Sequence, residues 1–308
     1  MSEKLVIETS NLTKYYGKAR GIENLNLEVT EGEIYGLLGP NGAGKTTTLR
    51  VLLDMIRRSS GEAKIFGMDV QENSREIQQR LTYLPGELGL YKSKSARRVL
   101  NYLLGLYNRP IPSRRIDELA GRLGLALERK VKELSKGNKQ KIGIILALAP
   151  EVDLLMLDEP TSGLDPLITQ EFYKILHEQQ FETGCTVLLS SHLLQEVEKV
   201  AHRVGIIRAG TLVEVATVQQ LKKLALKHVV VETPENDQLE PLSRKLSNEM
   251  AQNPKLELNQ LSFLCKRDSL PRVMDILSKE KIQDVDISSP DLEDIFLKYY
   301  QVEAREVA

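Results

Sequence analysis

The sequence predicts a mixed α/β fold: a mainly parallel sheet with an inserted helical subdomain, followed by a small α+β domain. Three observations predict it. Short apolar strands alternate with helical patterns from Leu5 to Leu212, which implies a sheet covered on both faces. The interval from Ala96 to Ala149 reads mostly helical and is too long for a simple crossover. Beyond Leu221 the pattern becomes strand, helix, strand, helix, strand, helix. The expected domains are 1–220, with the helical subdomain at about 86–150, and 221–308.

The elements follow in order. "KLVIET" and "LNLEV" alternate polar and apolar residues, as half-buried strands do. "EIYGLLG", Glu33 to Gly39, is a short apolar strand ending in a glycine-rich turn. "TTTLRVLLDMI" places Leu49, Leu52, Leu53 and Ile56 at helical spacing. "NRPIPS", Asn108 to Ser113, is a loop on its two prolines. "IGIILALA" is among the longest apolar runs and is interrupted by Gly143. "DLLMLDEP", "CTVLLSSH" and "RVGIIRAG" read as three strands, the first two buried. In the tail, "HVVVET", "KLELNQLSFLCK" and "IQDVDISS" are strands. "QLEPLSRKLSNEMA", "LPRVMDILSKE" and "PDLEDIFLKYY" are helices, the last opening on Pro290 and Asp291.

Composition narrows the function classes. With 308 residues, 41% apolar and 28% charged, the chain has an ordinary globular balance and can bury a core. A net charge of −1 argues against free nucleic acid as a partner. No apolar run approaches the ~18 residues of a spanning helix, so a membrane role needs a partner chain. The N-terminus lacks the apolar region of a signal peptide. Cys185 and Cys265 read as two reduced thiols, although a bridge between them is open to the sequence.

Chemistry is concentrated in three stretches. "GPNGAGKT", Gly39 to Thr46, fits G-x-x-x-x-G-K-[ST], with an apolar strand before it and a helix after. Glycines let backbone N–H groups turn inward around phosphate, and the helix adds its positive end. Lys45 supplies a mobile charge for the β- and γ-phosphates, and the Thr46 hydroxyl is a magnesium ligand. Asp158 and Glu159 sit at the C-terminal end of a buried strand, where open α/β sheets bind ligands. Asp158 suits the magnesium shell, and Glu159 suits activation of water. The third stretch, "ELSKGNKQKIG", places Gly137 in the first turn of a helix capped by Ser135. Gly137 costs about 1 kcal/mol there against alanine, which suggests that something approaches the backbone closely.

"GPNGAGKT", "LSKGNKQ", "LLMLDEPTSGLD" and "SSH" occur in the order and rough spacing of the ATP-binding cassette (ABC) ATPases, and the resemblance covers roughly Leu5 to Leu212. "YLPGELGLY", "SKGNKQK" and "PDLEDIF" further resemble the ATPase subunits of ABC-2-type exporters of drugs, antibiotics or polysaccharides. The resemblance implies a phosphate-loop nucleoside-triphosphatase fold that binds ATP and Mg²⁺. Gly39, Pro40, Asn41, Gly42, Ala43, Gly44, Lys45, Thr46 and Thr47 then form the phosphate loop, with Asn41 to Thr47 making most of the contacts. Thr46 and Asp158 hold the metal, Glu159 and Lys45 serve catalysis, and His192 senses the γ-phosphate. Tyr16 stacks on adenine, although neighbouring Tyr15 competes for that register. Ser135 and Gly137 cap the nucleotide of a second, head-to-tail cassette, and Asp165 lies in the loop that communicates across the pair.

The partners so implied are a second cassette, as homodimer or heterodimer, and a separate transmembrane permease. That places the chain at the cytoplasmic face of the cell membrane, with no nucleic acid partner. One stretch departs from the pattern. The family usually has glutamine after Y-x-P, whereas Tyr83, Leu84 and Pro85 are followed here by Gly86 and Glu87. Glu87 or a water is expected to take over part of that role. Two other readings carry less: a soluble ABC-type ATPase acting on ribosomes or DNA, and an importer ATPase. The single cassette and the absence of sustained heptads between Lys45 and Asp158 weigh against the soluble class.

Overall fold

The computed structural model describes residues 4–107, 110–220, 226–234, 238–246 and 250–288. The chain divides into two compact units, Met1–Ala216 and Thr217–Ala308.

The first unit opens with β1 (Leu5–Tyr16), β2 (Ala19–Leu25), β3 (Glu28–Thr30), β4 (Ile34–Leu38) and α1 (Lys45–Leu52). β5 (Ser60–Ile65), β6 (Met68–Asp69), α2 (Ser74–Gln78) and β7 (Leu81–Leu84) follow. The helical subdomain contributes α3 (Ala96–Leu104), α4 (Ser113–Arg122) and α5 (Lys136–Leu148). β8 (Leu154–Asp158), α6 (Pro166–Thr183), β9 (Thr186–Ser191), α7 (Leu194–Val200) and β10 (Arg203–Arg208) follow, and the unit ends within β11 (Thr211–Thr217), at its penultimate residue.

The main sheet has the order β11-β10-β4-β9-β8-β7, and its pairings from β10 through β7 are parallel. β4, β8 and β9 are buried along their whole length, as strands covered on both faces must be. Strand order therefore brings the ends of β4, β8 and β9 together, and the chemistry collects there.

A second sheet, with order β2-β1-β5-β6 and β3 also paired to β1, was not expected from sequence. Its pairings are antiparallel. β1 runs on through the polar stretch "SNLTKYY" because an irregularity near Asn11, at φ 46°, shifts its register and re-aims it. Ile7, Leu12, Leu25, Leu49, Leu52, Met156 and Leu188 belong to one buried cluster that joins both sheets to α1.

Three other expectations change. The helix after the phosphate loop stops at Leu52, and Asp54 at φ 55° turns the chain away before Ile56. "LNLEV" straddles the end of β2 and β3. The interval Ala96 to Ala149 is broken between α4 and α5 by non-helical chain and a short 3-10 turn, Val131–Glu133. Asn108 and Arg109 of the expected proline loop lie outside the described residues. Gly143 lets α5 close on β7: a Cβ there would meet Leu84 and Leu88 side chains at 2.6 Å.

The second unit runs β12 (Leu226–Glu232), helix Leu239–Lys245, β13 (Gln252–Glu257), β14 (Gln260–Lys266), helix Leu270–Leu277 and β15 (Asp284–Ser288). Its sheet order, β13-β14-β12-β15, with antiparallel pairings, is that of a split β-α-β sandwich. Val229, Val231, Phe263, Cys265, Val273 and Leu277 fill its core. "KLELNQLSFLCK" is therefore a hairpin rather than one strand. Its two-residue turn, Leu258–Asn259, carries no glycine or proline to mark it, and Leu258 takes the left-handed conformation at φ 46°. The expected helix "PDLEDIFLKYY" lies outside the described residues.

Candidate functional site

The turn after β4 wraps Lys45. Gly42 and Gly44 adopt φ 80° and 112°, which disfavours other residues, and a Cβ on Gly44 would meet the Gly21 carbonyl at 2.8 Å. Gly44 caps α1, so the first N–H groups of that helix face the turn. Lys45 is 5% exposed. Its Nζ donates to the carbonyls of Gly39 at 2.6 Å and Pro40 at 3.1 Å, and lies 3.2 Å from Glu159 Oε1.

The acidic pair is separated by a change of backbone hand. Asp158 ends β8 and is 2% exposed, opposite Ser190 on β9. Thr46 Oγ1 donates to its Oδ2 at 2.8 Å, and Ser190 Oγ donates to its Oδ1 at 2.6 Å. Glu159 takes φ 48°, with its N–H held by the Ser190 carbonyl at 3.2 Å. Two successive strand residues would face opposite ways. The left-handed turn at Glu159 lets both carboxylates line one cavity of about 490 Å³. His192, just past β9, donates from Nδ1 to Glu159 Oε2 at 2.6 Å.

A buried carboxylate ordinarily pairs with a cation or a metal. Among the described residues Asp158 has no ammonium or guanidinium within ion-pair distance; its two oxygens take hydroxyls instead. A threonine hydroxyl and a carboxylate are hard oxygen donors that suit Mg²⁺, which takes few protein ligands and completes its shell with water and phosphate. No cluster of three His, Cys, Asp or Glu side chains able to hold a metal occurs among the described residues.

Tyr16 ends β1 at a two-residue turn opened by Gly17 at φ 60°. It lines the cavity, with its hydroxyl 3.5 Å from Thr47 Oγ1. Tyr15 points elsewhere and donates to Glu23 at 2.6 Å. Asn41 to Thr47, Asp158, Glu159 and His192 line the same cavity. Ser135, Gly137 and Asp165 do not. Ser135 caps α5, accepting from the Asn138 N–H at 3.3 Å. Asp165 caps α6, accepting from Leu167 and Ile168 N–H at 3.1 and 3.0 Å.

The family model described as "ABC transporter" matches residues 22–162, the stretch that holds the cradle, the capped helix α5 and the acidic pair. Bacitracin transport ATP-binding protein BcrA of Bacillus licheniformis is 40% identical over 229 residues, which are 73% of this chain and 74% of that one. The chain belongs to the ABC transporter family. Its first unit is an ABC ATPase domain. Probable multidrug ABC transporter ATP-binding protein YbhF of Escherichia coli (strain K12) is 37% identical over 70% of this chain, which spans only 38% of YbhF. The solved structure titled "Structure of ATP binding subunit of ABC transporter" superposes with a TM-score of 0.65 at 26% identity, over 71% of this chain and 92% of that one.

Within the ABC cassette, several contacts escaped the sequence reading. Ser190 holds Asp158, and the only hint was its place in "SSH". Gln140, in "LSKGNKQ", donates to the Pro160 carbonyl at 3.0 Å and ties α5 to the chain after Glu159. Gly137 has a cause inside its own chain: a Cβ there would lie 2.3 Å from the Gly163 carbonyl. Gly86, where the ABC family usually has glutamine, borders the cavity with Glu87. A Cβ on Gly86 would sit 3.6 Å from Asp158 Oδ2, an ordinary contact distance, so a methyl group has room there. Both cysteines are free and buried.

Proposed function

We propose that the chain is the ATP-hydrolysing subunit of an ABC-2-type exporter, acting as a pair of cassettes on a separate transmembrane permease. The observation that carries the reading is the meeting of Lys45, Glu159 and His192 in one cradle. Ser135 and Gly137, the residues that resemble the family's nucleotide cap, lie outside that cradle, which suits service to a second copy.

In this mechanism the phosphate loop and the N-terminus of α1 bind the triphosphate, and Tyr16 stacks on adenine. Lys45 exchanges its Glu159 partner for phosphate oxygens. Thr46 and Asp158 would hold Mg²⁺, which when bound offsets charge on the β- and γ-phosphates. Glu159, released from Lys45 and steadied by His192, orients or deprotonates the attacking water. Ser135 of the second cassette closes over the γ-phosphate. ATP so bridges the pair, and its hydrolysis reopens it.

No helix among the described residues is long and apolar enough to cross a membrane. On this reading the subunit works at the cytoplasmic face through its permease. Motion would pass to the permease through the region of Gly86 and the helical subdomain, where Tyr91 and Tyr102 form an exposed edge-on pair 5.8 Å apart. Export is the direction implied by the resemblance of "YLPGELGLY", "SKGNKQK" and "PDLEDIF" to ABC-2-type exporter subunits.

Sedimentation of Glu159→Gln tests the pairing. With MgATP this variant should form a stable dimer while turnover falls at least a hundredfold, on the order of 3 kcal/mol. A chain that stays monomeric at every ATP concentration while the wild type hydrolyses at full rate overturns the reading.

A further inference from the structure

We propose that Lys136 is a positioning residue that ties helix α5 to the loop beginning at Glu159 in its own chain. Through this tie, the state of one cradle sets the placement of the Ser135 that serves the other. The inference rests on the paired-cassette reading above.

Lys136 is the first residue of α5, directly after the Ser135 cap. A cation in the first turn opposes the helix dipole by about 0.3–1 kcal/mol, and no acidic residue in that turn offsets it. The position is therefore not explained by helix stability. Its side chain has a defined course instead. The aliphatic stem lies over Gly163, where a Cβ would sit 3.5 Å from Lys136 Cγ and Cδ. Its Nζ lies 3.3 Å from Ser162 Oγ, a donor contact to the loop. Lys136 and Ser162 both border the cavity that holds Glu159 and His192.

Two further contacts make this a seam rather than a single bond. Gly137 packs against the Gly163 carbonyl, and Gln140 donates to the Pro160 carbonyl. The seam spans the stretch between Glu159 and Asp165. When Lys45 leaves Glu159 for phosphate, the start of this stretch changes partners, and the seam passes the change to the N-terminus of α5. Lys136 is the exposed, chargeable link in it.

The test is steady-state hydrolysis against ATP concentration for the wild type, Lys136→Met, Lys136→Arg, Ser162→Ala and the Met/Ala double variant, with thermal melts to confirm folding. The wild type should show a Hill coefficient above 1, bounded by about 2 for two sites. Lys136→Met and Ser162→Ala should each bring it to about 1 and raise the ATP concentration for half-maximal rate about fivefold, the low end of site-to-site coupling in affinity. The double variant should be no worse than either single one, because both remove the same contact. Lys136→Arg, whose longer cation still reaches Ser162, should keep cooperativity. Unchanged cooperativity in Lys136→Met overturns the proposal. So do additive losses in the double variant, which would place Lys136 on the partner's nucleotide instead. A wild type that turns over without cooperativity overturns both this inference and the paired mechanism.

Discussion

His192 Nδ1 lies 2.6 Å from Glu159 Oε2, and Lys45 Nζ lies 3.2 Å from the other oxygen of the same carboxylate. Glu159 is thus held from both sides, by the Lys45 ammonium on one oxygen and the His192 imidazole on the other. His192→Ala should lower turnover about a hundredfold, within the usual worth of a positioned acid–base group. Nucleotide binding, measured by fluorescence titration, should be kept. A turnover near that of the wild type would remove His192 from the mechanism.

Gly137→Ala sets two effects against each other. Alanine favours a helix over glycine by about 1 kcal/mol. The added Cβ, however, would lie 2.3 Å from the Gly163 carbonyl, and overpacking of that kind costs about 1–3 kcal/mol. The steric term wins, so the melting temperature without nucleotide should fall by about 2–4 °C. A rise would mean that the glycine serves the partner's nucleotide alone.

Ser190→Ala leaves Asp158 Oδ1, 2% exposed as a residue, without its hydroxyl donor. An unmet buried acceptor costs about 1–3 kcal/mol. Urea unfolding should show a loss in that range, and ATP binding should weaken more in the presence of Mg²⁺ than in EDTA. Equal weakening in both would argue that Asp158 does not hold the metal.

Glu87→Ala should weaken coupling between hydrolysis and transport more than it weakens ATP binding. Glu87 borders the cavity beside Gly86, where the family usually has glutamine. Gly86→Ala should be accepted with a stability change within about 0.5 kcal/mol, since its Cβ finds ordinary contact distances. Transport in reconstituted vesicles that is unaffected by Glu87→Ala would exclude the role.

Cys185 and Cys265 should resist thiol reagents in the folded chain and react fully in denaturant. Burial pushes both thiols above their ordinary pKa, which lowers the thiolate fraction at mildly alkaline pH. A folded pKa above the unfolded one gives stability that is complete below the unfolded value. That stability is lost as pH rises through the folded value. Chemical unfolding should therefore become easier as the pH climbs past the usual thiol range. Rapid labelling of the native chain would show that these sites open.

The strands β4, β8 and β9 were legible because full burial leaves an unbroken apolar run. The antiparallel sheet was not, since β1 passes through polar residues and bends at Asn11. The β13–β14 hairpin was missed for want of a turn residue at Leu258.

The sequence by itself determined the phosphate loop, the acidic pair and the helix opened by Ser135. In each of these the needed groups are neighbours in the chain, and local geometry follows from residue type. Only the tertiary structure decided that Tyr16 rather than Tyr15 faces the cradle, that Ser190 grips Asp158, and that Gly137 is pressed by Gly163. Those outcomes depend on where the chain returns after many residues. They are set by strand order and by packing between distant segments, which leave no mark in any short stretch of sequence.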